Sequence, residues 1–365
     1  MTQAAVLEAP GRMRVADVEL LPPRRGEVMV QVRATGICHS DLSWHDGLLG
    51  AALPAVLGHE AAGVVAAVGE DVTRVAVGDR VVLSCLAPCG GCFHCVRGRP
   101  TLCEVAGGAM GGGTLLDGTT RVRLGGRQVH QGAGLGTFAE HCVVPEGAVV
   151  ALPGTVPFGH AALMGCAVLT GFGAAVNAAG VQPGESVAVI GCGGVGLSAV
   201  QGARVAGASR IVAIDPRAGR RDLALKVGAT DVLPSGPGAL REIRALTGGR
   251  GADVVLEAAG VRDAVKLSVP AARPGGRVVL VGAGAPDVRL DVAAFTGLVL
   301  QEKSVRGSLY GSGHPRETIE RLLALYAAGA IVLDEMVSRE FALADIAEAI
   351  DYCRAGTGAR ALITF

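Results

Sequence analysis

Apolar and polar positions along the chain follow two rhythms. Up to about residue 85 the apolar residues come in short runs, at 28–32, 61–68 and 80–83, punctuated by Gly-Asp, Gly-Glu and Pro-Gly pairs. Runs of this length bounded by turn residues predict half-buried strands. A helical period holds only over 40–46. From about 171 the rhythm changes. Apolar runs at 186–190, 210–214, 253–256, 277–281 and 304–308 are separated, in most cases, by segments with helical spacing. That alternation predicts a parallel, doubly wound sheet with helices on both faces. A helix over 316–328 and a closing strand over 360–365 follow. Between the two regimes, residues 147–184 contain no Asp, Glu, Lys or Arg. A membrane span is conceivable on charge alone, but Pro153, Pro157 and Pro183 interrupt it and Gly and Ala fill its middle, so the stretch reads as a buried hinge. Residues 106–136 are Gly-rich and read as an extended surface lobe.

The densest signal lies in 186–215. A strand runs into Gly191-Cys192-Gly193-Gly194-Val195-Gly196, a helical segment follows, and a second strand ends on Asp215. This is the order of a dinucleotide-binding βαβ unit. Gly191 permits the tight turn, Gly193 offers no side chain to block a pyrophosphate, and Gly196 lets the helix lie close to the strand. The helix N-terminus then presents unpaired N–H groups to the phosphates. Asp215 stands where an acid bonds the adenosine ribose hydroxyls, and its charge favours NAD over NADP, although Arg217 and Arg220 are close by.

Composition narrows the rest. The chain has 365 residues, enough for two domains, with 50% hydrophobic and 18% charged positions, which fits a globular protein. Lys plus Arg and Asp plus Glu balance at 33 each, so no field attracts nucleic acid or a membrane surface. The opening MTQAAVLEAP lacks a basic region followed by an apolar one, and a cytoplasmic location is expected. Ten cysteines in such a chain favour metal binding or free thiols over disulfides.

Four of them, Cys89, Cys92, Cys95 and Cys103, have the spacing C-x2-C-x2-C-x7-C. Four thiolates this close can surround one tetrahedral ion, and zinc suits a closed all-sulfur site. An iron–sulfur cluster or four unrelated thiols are the alternatives. A closed site holds a lobe (85–105) in shape and does no chemistry. A second set is dispersed: Cys38 in GICHSD, His59 in GHE and Cys166 in MGC. Two thiolates and one imidazole leave a fourth zinc position open for catalysis, yet spacing alone does not bring three distant residues together.

The ordered strings GICHSD, GHEAAGVV, the four-cysteine lobe, GCAVLTGFGAAVN, GCGGVG and RALITF resemble the zinc-dependent medium-chain alcohol dehydrogenases over essentially the whole chain. Residues 106–136 resemble the longer branch that includes liver-type and glutathione-dependent formaldehyde dehydrogenases. The resemblance implies a GroES-like, mostly β catalytic domain (1–167, with 310–365 returning to it) and a Rossmann coenzyme domain (168–309). It implies Cys38, His59 and Cys166 as catalytic zinc ligands and the four-cysteine set as a structural zinc site, two Zn2+ per chain. Glu60 matches a glutamate that approaches the zinc during ligand exchange, and Asp41 the carboxylate that orients the zinc histidine. Ser40 matches the hydroxyl that takes the alcohol proton. His39 and Arg360 match pyrophosphate contacts, Arg220 a basic residue near the adenosine ribose, and Thr170 and Val195 the residues pressing on the nicotinamide. Gly194 belongs to the same phosphate loop.

Some positions depart from the pattern. Where liver-type relatives carry a histidine at the outer end of the proton relay, this chain has Ser43, leaving His45 or water to carry the proton, with water the preferred reading. His45 otherwise reads as a surface residue near Trp44. The arginine of glutathione-dependent relatives has no counterpart near Gly107, though Arg121 or Arg123 can compensate. Cys85, Gly132, Ala133 and Gly134 are small and suggest a wide apolar pocket. Cys85, Cys142, Cys192 and Cys353 read as small core residues, and His94 as a surface one. The expectation is reversible hydride transfer between NAD and a bulky or aromatic primary alcohol or its aldehyde, in a homodimer or alternatively a tetramer. The competing readings are an S-(hydroxymethyl)glutathione-type dehydrogenase, a zinc-free quinone or enoyl reductase of the same fold, and a zinc-ribbon module for nucleic acid.

Overall fold

Val28, Val30 and Val32 alternate with Met29 and Gln31, and the chain from Glu27 to Gly36 is a strand whose three valines are fully buried. β-Branched residues on every second position suit a pleated, half-buried surface. A computed structural model describes all 365 residues, Met1–Phe365. In it this strand is the hub of a seven-stranded sheet ordered Val149–Ala151, Arg80–Leu83, Glu60–Val68, Glu27–Gly36, Arg360–Thr364 and Val337–Ala342, with His141–Pro145 also pairing to Glu27–Gly36. The last strand of the chain therefore pairs antiparallel with Ala34–Gly36 near its beginning. Beside this sheet, Thr2–Ala9, Arg12–Leu20, Val122–Leu124, Arg127–Gln131 and Ala55–Val56 close into a small barrel.

The second body is a six-stranded, wholly parallel sheet ordered Asp231–Leu233, Arg210–Ile214, Ser186–Ile190, Ala252–Glu257, Ala272–Leu280 and Ser304–Gly307. Ser186–Ile190 pairs with the strands on either side, and its central residues are fully buried, as a strand covered on both faces must be. Crossover helices such as Gly194–Val205 and Arg262–Ala271 make parallel pairing possible. Gly191 has φ +95°, and a Cβ on Gly196 would lie 1.7 Å from the Gly191 carbonyl oxygen, so the turn and the helix both demand glycine. The architecture is thus α/β, a GroES-like β body joined to a Rossmann sheet.

The uncharged stretch becomes one helical rod, Phe158–Ala178, of mean hydropathy 1.6 and long enough to cross a membrane, yet it is 83% buried between the two bodies. It lies between Pro157 and Pro183, and two wide π turns, Met164–Val168 and Ala174–Ala178, interrupt its α geometry. Such turns displace side chains from the regular ladder and cluster at functional sites.

Residues 106–136 correct the expectation of an extended surface lobe. Glu104–Gly112 is a helix, and Val122–Leu124 with Arg127–Gln131 forms the hairpin that completes the barrel. Arg121 anchors it. Its guanidinium is fully buried, donates from both Nε (2.8 Å) and Nη2 to the Glu27 carboxylate, and reaches Asp117 at 2.9 Å. Its backbone N–H donates to Gln131 Oε1 at 3.0 Å. High glycine content reads as loop, and long-range ion pairing is what overrides it. The strands Asp231–Leu233 and Val337–Ala342 and the helix Ile346–Ala355 carry too little periodicity to be anticipated. Arg121→Met should leave the Glu27 carboxylate buried without a cation and cost about 3–5 kcal/mol of stability, read as a lower denaturant midpoint.

Candidate active site

The string GICHSD folds because Asp41 closes it on itself. Asp41 Oδ2 accepts the backbone N–H of Cys38 (2.9 Å), starting the helix His39–His45. Its Oδ1 accepts from the backbone of Gly58 (3.1 Å) and faces His59 Nδ1 at 3.1 Å. One buried carboxylate thus fixes both Cys38 and the imidazole of His59, and leaves His59 Nε2 as the free ring nitrogen. Cys166 enters from the first wide turn of the hinge helix. The ligand atoms of Cys38, His59 and Cys166 all lie within 4.8 Å of one another.

The electrostatics suit a cation. The hydrogen bond between Cys166 and Cys38 holds the Cys38 thiol well below its ordinary range and lifts Cys166 well above it. Burial opposes charge on His59, but Asp41 and the Cys38 thiolate outweigh it and raise the imidazole. Thiolates and neutral imidazole are what a metal requires, and an ion here displaces the protons that the cluster otherwise holds. Burial pushes Glu60, fully inaccessible, up to about 7 against the pull of Arg360. Arg360 stands 3.2–3.3 Å from the Glu60 oxygens and 3.5 Å from Cys38 Sγ. Ser40 Oγ is 3.8 Å from Cys38 Sγ, and His39 is exposed on the first turn of its helix.

The phosphate loop abuts this cluster. A Cβ on Gly194 would lie 3.0 Å from the Arg360 guanidinium, whereas one on Gly193 would meet only Arg220, at 3.9 Å. The space before Gly193 is therefore open to a pyrophosphate, with Arg360 and Arg220 as cations beside it. Asp215 accepts the backbone N–H groups of Cys192 and Arg217, both at 2.9 Å, and Arg220 Nη1 lies 4.0 Å from it. Thr170 precedes Gly171 on the hinge helix, where a Cβ on Gly171 would be 2.0 Å from the Val195 carbonyl oxygen of the phosphate-loop helix. Away from the cleft, Cys89, Cys92, Cys95 and Cys103 bring four sulfurs within 4.8 Å of one another. The N–H groups of Cys95 and Glu104 draw the Cys92 thiol down to about 6. His94 packs edge-on against Phe93 and is not among the grouped ligands.

Two small clefts lie near the trio's neighbours Trp44 and Cys85, neither of them lined by a residue of the trio itself. One is lined by Trp44, Leu57, Met110, Gly132 and Ala133 among others. The other takes in Cys85, Met110, Ala133, Gly134 and Leu135. Cys85 packs against the core, as expected, and also lines this cleft. His45 is buried, not a surface residue, and its Nδ1 is 2.7 Å from Asp46, which also holds Arg354 at 2.7 Å. Arg121 is consumed by Glu27 and Asp117 and is not free to bind a substrate carboxylate. Met110, Trp44 and the buried Tyr310 escape a reading by motif. Met110 is a lone large side chain in a Gly/Ala run, and Trp44, which meets His59 edge-on at 5.6 Å between ring centroids, is the only tryptophan.

Residues 24–154 match the alcohol dehydrogenase GroES-like domain, and residues 194–328 match the zinc-binding dehydrogenase family. The chain is 40% identical to the NDMA-dependent alcohol dehydrogenase of Amycolatopsis methanolica, over 99% of this chain and 98% of that one. It is 35% identical to the S-(hydroxymethyl)glutathione dehydrogenase of Escherichia coli over 100% of both. Among solved structures, the benzyl alcohol dehydrogenase of Acinetobacter calcoaceticus superposes with a TM-score of 0.93 at 33% identity, covering 100% of this chain and 99% of that one.

Asp41→Asn should weaken by about 10–100-fold the binding of a divalent metal ion at Cys38, His59 and Cys166, and leave uptake by the four-cysteine lobe unchanged. Metal content after graded chelator treatment distinguishes the two losses.

Proposed function

We propose, for a chain that belongs to the zinc-dependent alcohol dehydrogenase family, that Cys38, His59 and Cys166 hold the catalytic zinc and that NAD is the hydride carrier. The family makes the protein an oxidoreductase using zinc and a nicotinamide-type cofactor. The observation that carries the finer reading is the convergence of the two thiols and the imidazole beside the phosphate loop, with Arg360 between them. When bound, the zinc supplies Lewis acidity that lowers the pKa of an alcohol, and the nicotinamide supplies the hydride acceptor. Ser40 takes the alcohol proton. His45 is paired with Asp46 through Nδ1, and in this reading the proton passes onward to water and not to His45. Asp41 holds His59 in one tautomer, Arg360 and His39 steady the pyrophosphate, Asp215 takes the adenosine ribose with Arg220 beside it, and Thr170 and Val195 set the nicotinamide face. Glu60, buried against Arg360, would be the carboxylate able to approach the zinc during ligand exchange. Cys89, Cys92, Cys95 and Cys103 hold a second, structural zinc.

The substrate in this reading is a bulky or aromatic primary alcohol or its aldehyde. The cavity walls are mostly small and apolar, and benzyl alcohol dehydrogenase is a structural neighbour. A glutathione adduct fits less well, because Arg121 is committed and no cation stands at Gly107. The NDMA-dependent relative supports a second reading for the hydride: a nitroso acceptor takes it from the bound coenzyme. We extend the proposal to a homodimer. The strand Ser304–Gly307 is an unpaired edge, and Phe295 and Val299 beside it are each 63% exposed.

Purified protein with NAD and alcohols from ethanol to benzyl alcohol should produce NADH and contain about two zinc ions per chain. Two zincs without free NADH, but turnover once a nitroso acceptor is added, selects the second reading. One zinc and no turnover sinks the trio. Met110→Ala should shift kcat/KM about tenfold towards the larger alcohols. Phe295→Glu with Val299→Glu should convert a dimer to monomer in sedimentation; an unchanged mass, or a tetramer that keeps its mass, removes this face as the interface.

A further inference from the structure

Tyr310 lies where the chain leaves the coenzyme sheet, and its backbone is unusual. Tyr310, Gly311 and Ser312 have φ of 51°, 72° and 58°, three successive residues in the left-handed region. A bulky aromatic residue there is strained, and it persists only where its surroundings fix it. Here they do. A Cβ on Gly173 of the hinge helix would lie 2.5 Å from the Gly311 carbonyl oxygen, so the turn is pressed backbone against backbone onto that helix, and Asn177 Nδ2 donates to the same oxygen at 3.1 Å.

The strain delivers a hydroxyl. The Tyr310 side chain is buried, its phenol donates to the carbonyl of Gly165, and it accepts the backbone N–H of Cys85 at 3.2 Å, with Ser84 Oγ 3.2 Å away. Gly165 immediately precedes Cys166, and its carbonyl belongs to the rigid peptide plane that carries the Cys166 nitrogen and Cα. That plane lies in the wide turn Met164–Val168, where the regular helical ladder is relaxed. The Ala167 N–H on the far side of Cys166 donates to Glu60 at 2.8 Å, so the Tyr310 phenol holds the other peptide plane that meets at the Cys166 Cα.

We infer that Tyr310 is a positioning residue for the metal site: its hydroxyl pins the Gly165–Cys166 peptide so that the Cys166 sulfur meets Cys38 and His59. Because the phenol comes from the segment that re-enters the catalytic body, the position of the coenzyme sheet and the placement of the third ligand are coupled through one hydrogen bond. The inference rests on the reading of Cys38, His59 and Cys166 as one metal site.

Tyr310→Phe keeps the ring and removes the hydroxyl. The cobalt-substituted holoenzyme should then show a shifted thiolate-to-cobalt absorption band, and its metal should pass to a chelator about tenfold faster or more. The Michaelis constant for NAD should stay near that of the wild type while kcat falls. Ser84→Ala, which removes the neighbouring hydroxyl and leaves Gly165 paired, should leave band and release rate unchanged. A Tyr310→Phe protein that melts earlier but keeps the wild-type band and release rate overturns the inference. Should that variant not accumulate, 3-fluorotyrosine incorporated into a Tyr326→Phe, Tyr352→Phe chain alters only the acidity of the Tyr310 phenol; an unchanged release rate there also overturns it. A wild-type chain that binds no cobalt at this site refutes the metal-site reading instead, so the two failures are separable.

Discussion

One guanidinium stands at the junction of the two bodies. Arg360 is buried, and so is its carboxylate partner, Glu60. Two charges withdrawn from water repay their desolvation only in close geometry, and removing either partner leaves the other stranded at high cost. Here the pair is held from both sides. Glu60 begins the strand that pairs with Gly36, two residues from Cys38, and Arg360 begins the strand that pairs with Ala34–Gly36. The other face of the guanidinium lies on Gly194, at the start of the phosphate-loop helix. The return of the last residues to the first body is therefore a requirement of the site. Without Arg360–Thr364 in the central sheet, no cation would stand between the thiolates and the phosphate loop.

The second requirement is met by the hinge helix. It carries Cys166 in one wide turn and touches Val195 and Gly311 through glycines with no room for a side chain. Backbone packed this closely transmits displacement poorly as bending and well as rigid movement. Lacking charge along its length, the helix can be sealed between two bodies at no cost in buried ions, which explains a composition that otherwise resembles a membrane segment.

What was legible in the sequence was what is local. The loop from Gly191 to Gly196, its flanking strands and Asp215 lie within one βαβ unit, and Cys89 to Cys103 within one loop, so spacing carries their geometry. Cys38, His59 and Cys166 are brought together by sheet pairing and a hinge, and only an ordered resemblance joined them in advance. The segment 106–136 was misread because glycine suggests loop, whereas its structure is imposed by Arg121 reaching Glu27, 94 positions away. His45 was misjudged because its burial depends on Asp46 and on Arg354 from the far end of the chain. Tyr310 was invisible for the same reason: its hydroxyl matters only through Gly165, 145 positions earlier.

Trp44 gives the molecule an optical property that follows from its packing. It is the single tryptophan of the chain, it lines a cleft, and its indole meets the His59 imidazole edge-on. An imidazolium beside an indole is an efficient acceptor of its excited electron, whereas a neutral ring tied to a metal is not. Indole emission, excited apart from the three tyrosines, thus originates at one ring, 5.6 Å from the His59 imidazole, and its lifetime records the charge on that imidazole. Occupancy of the site is written into the intrinsic glow of the protein, with no label attached.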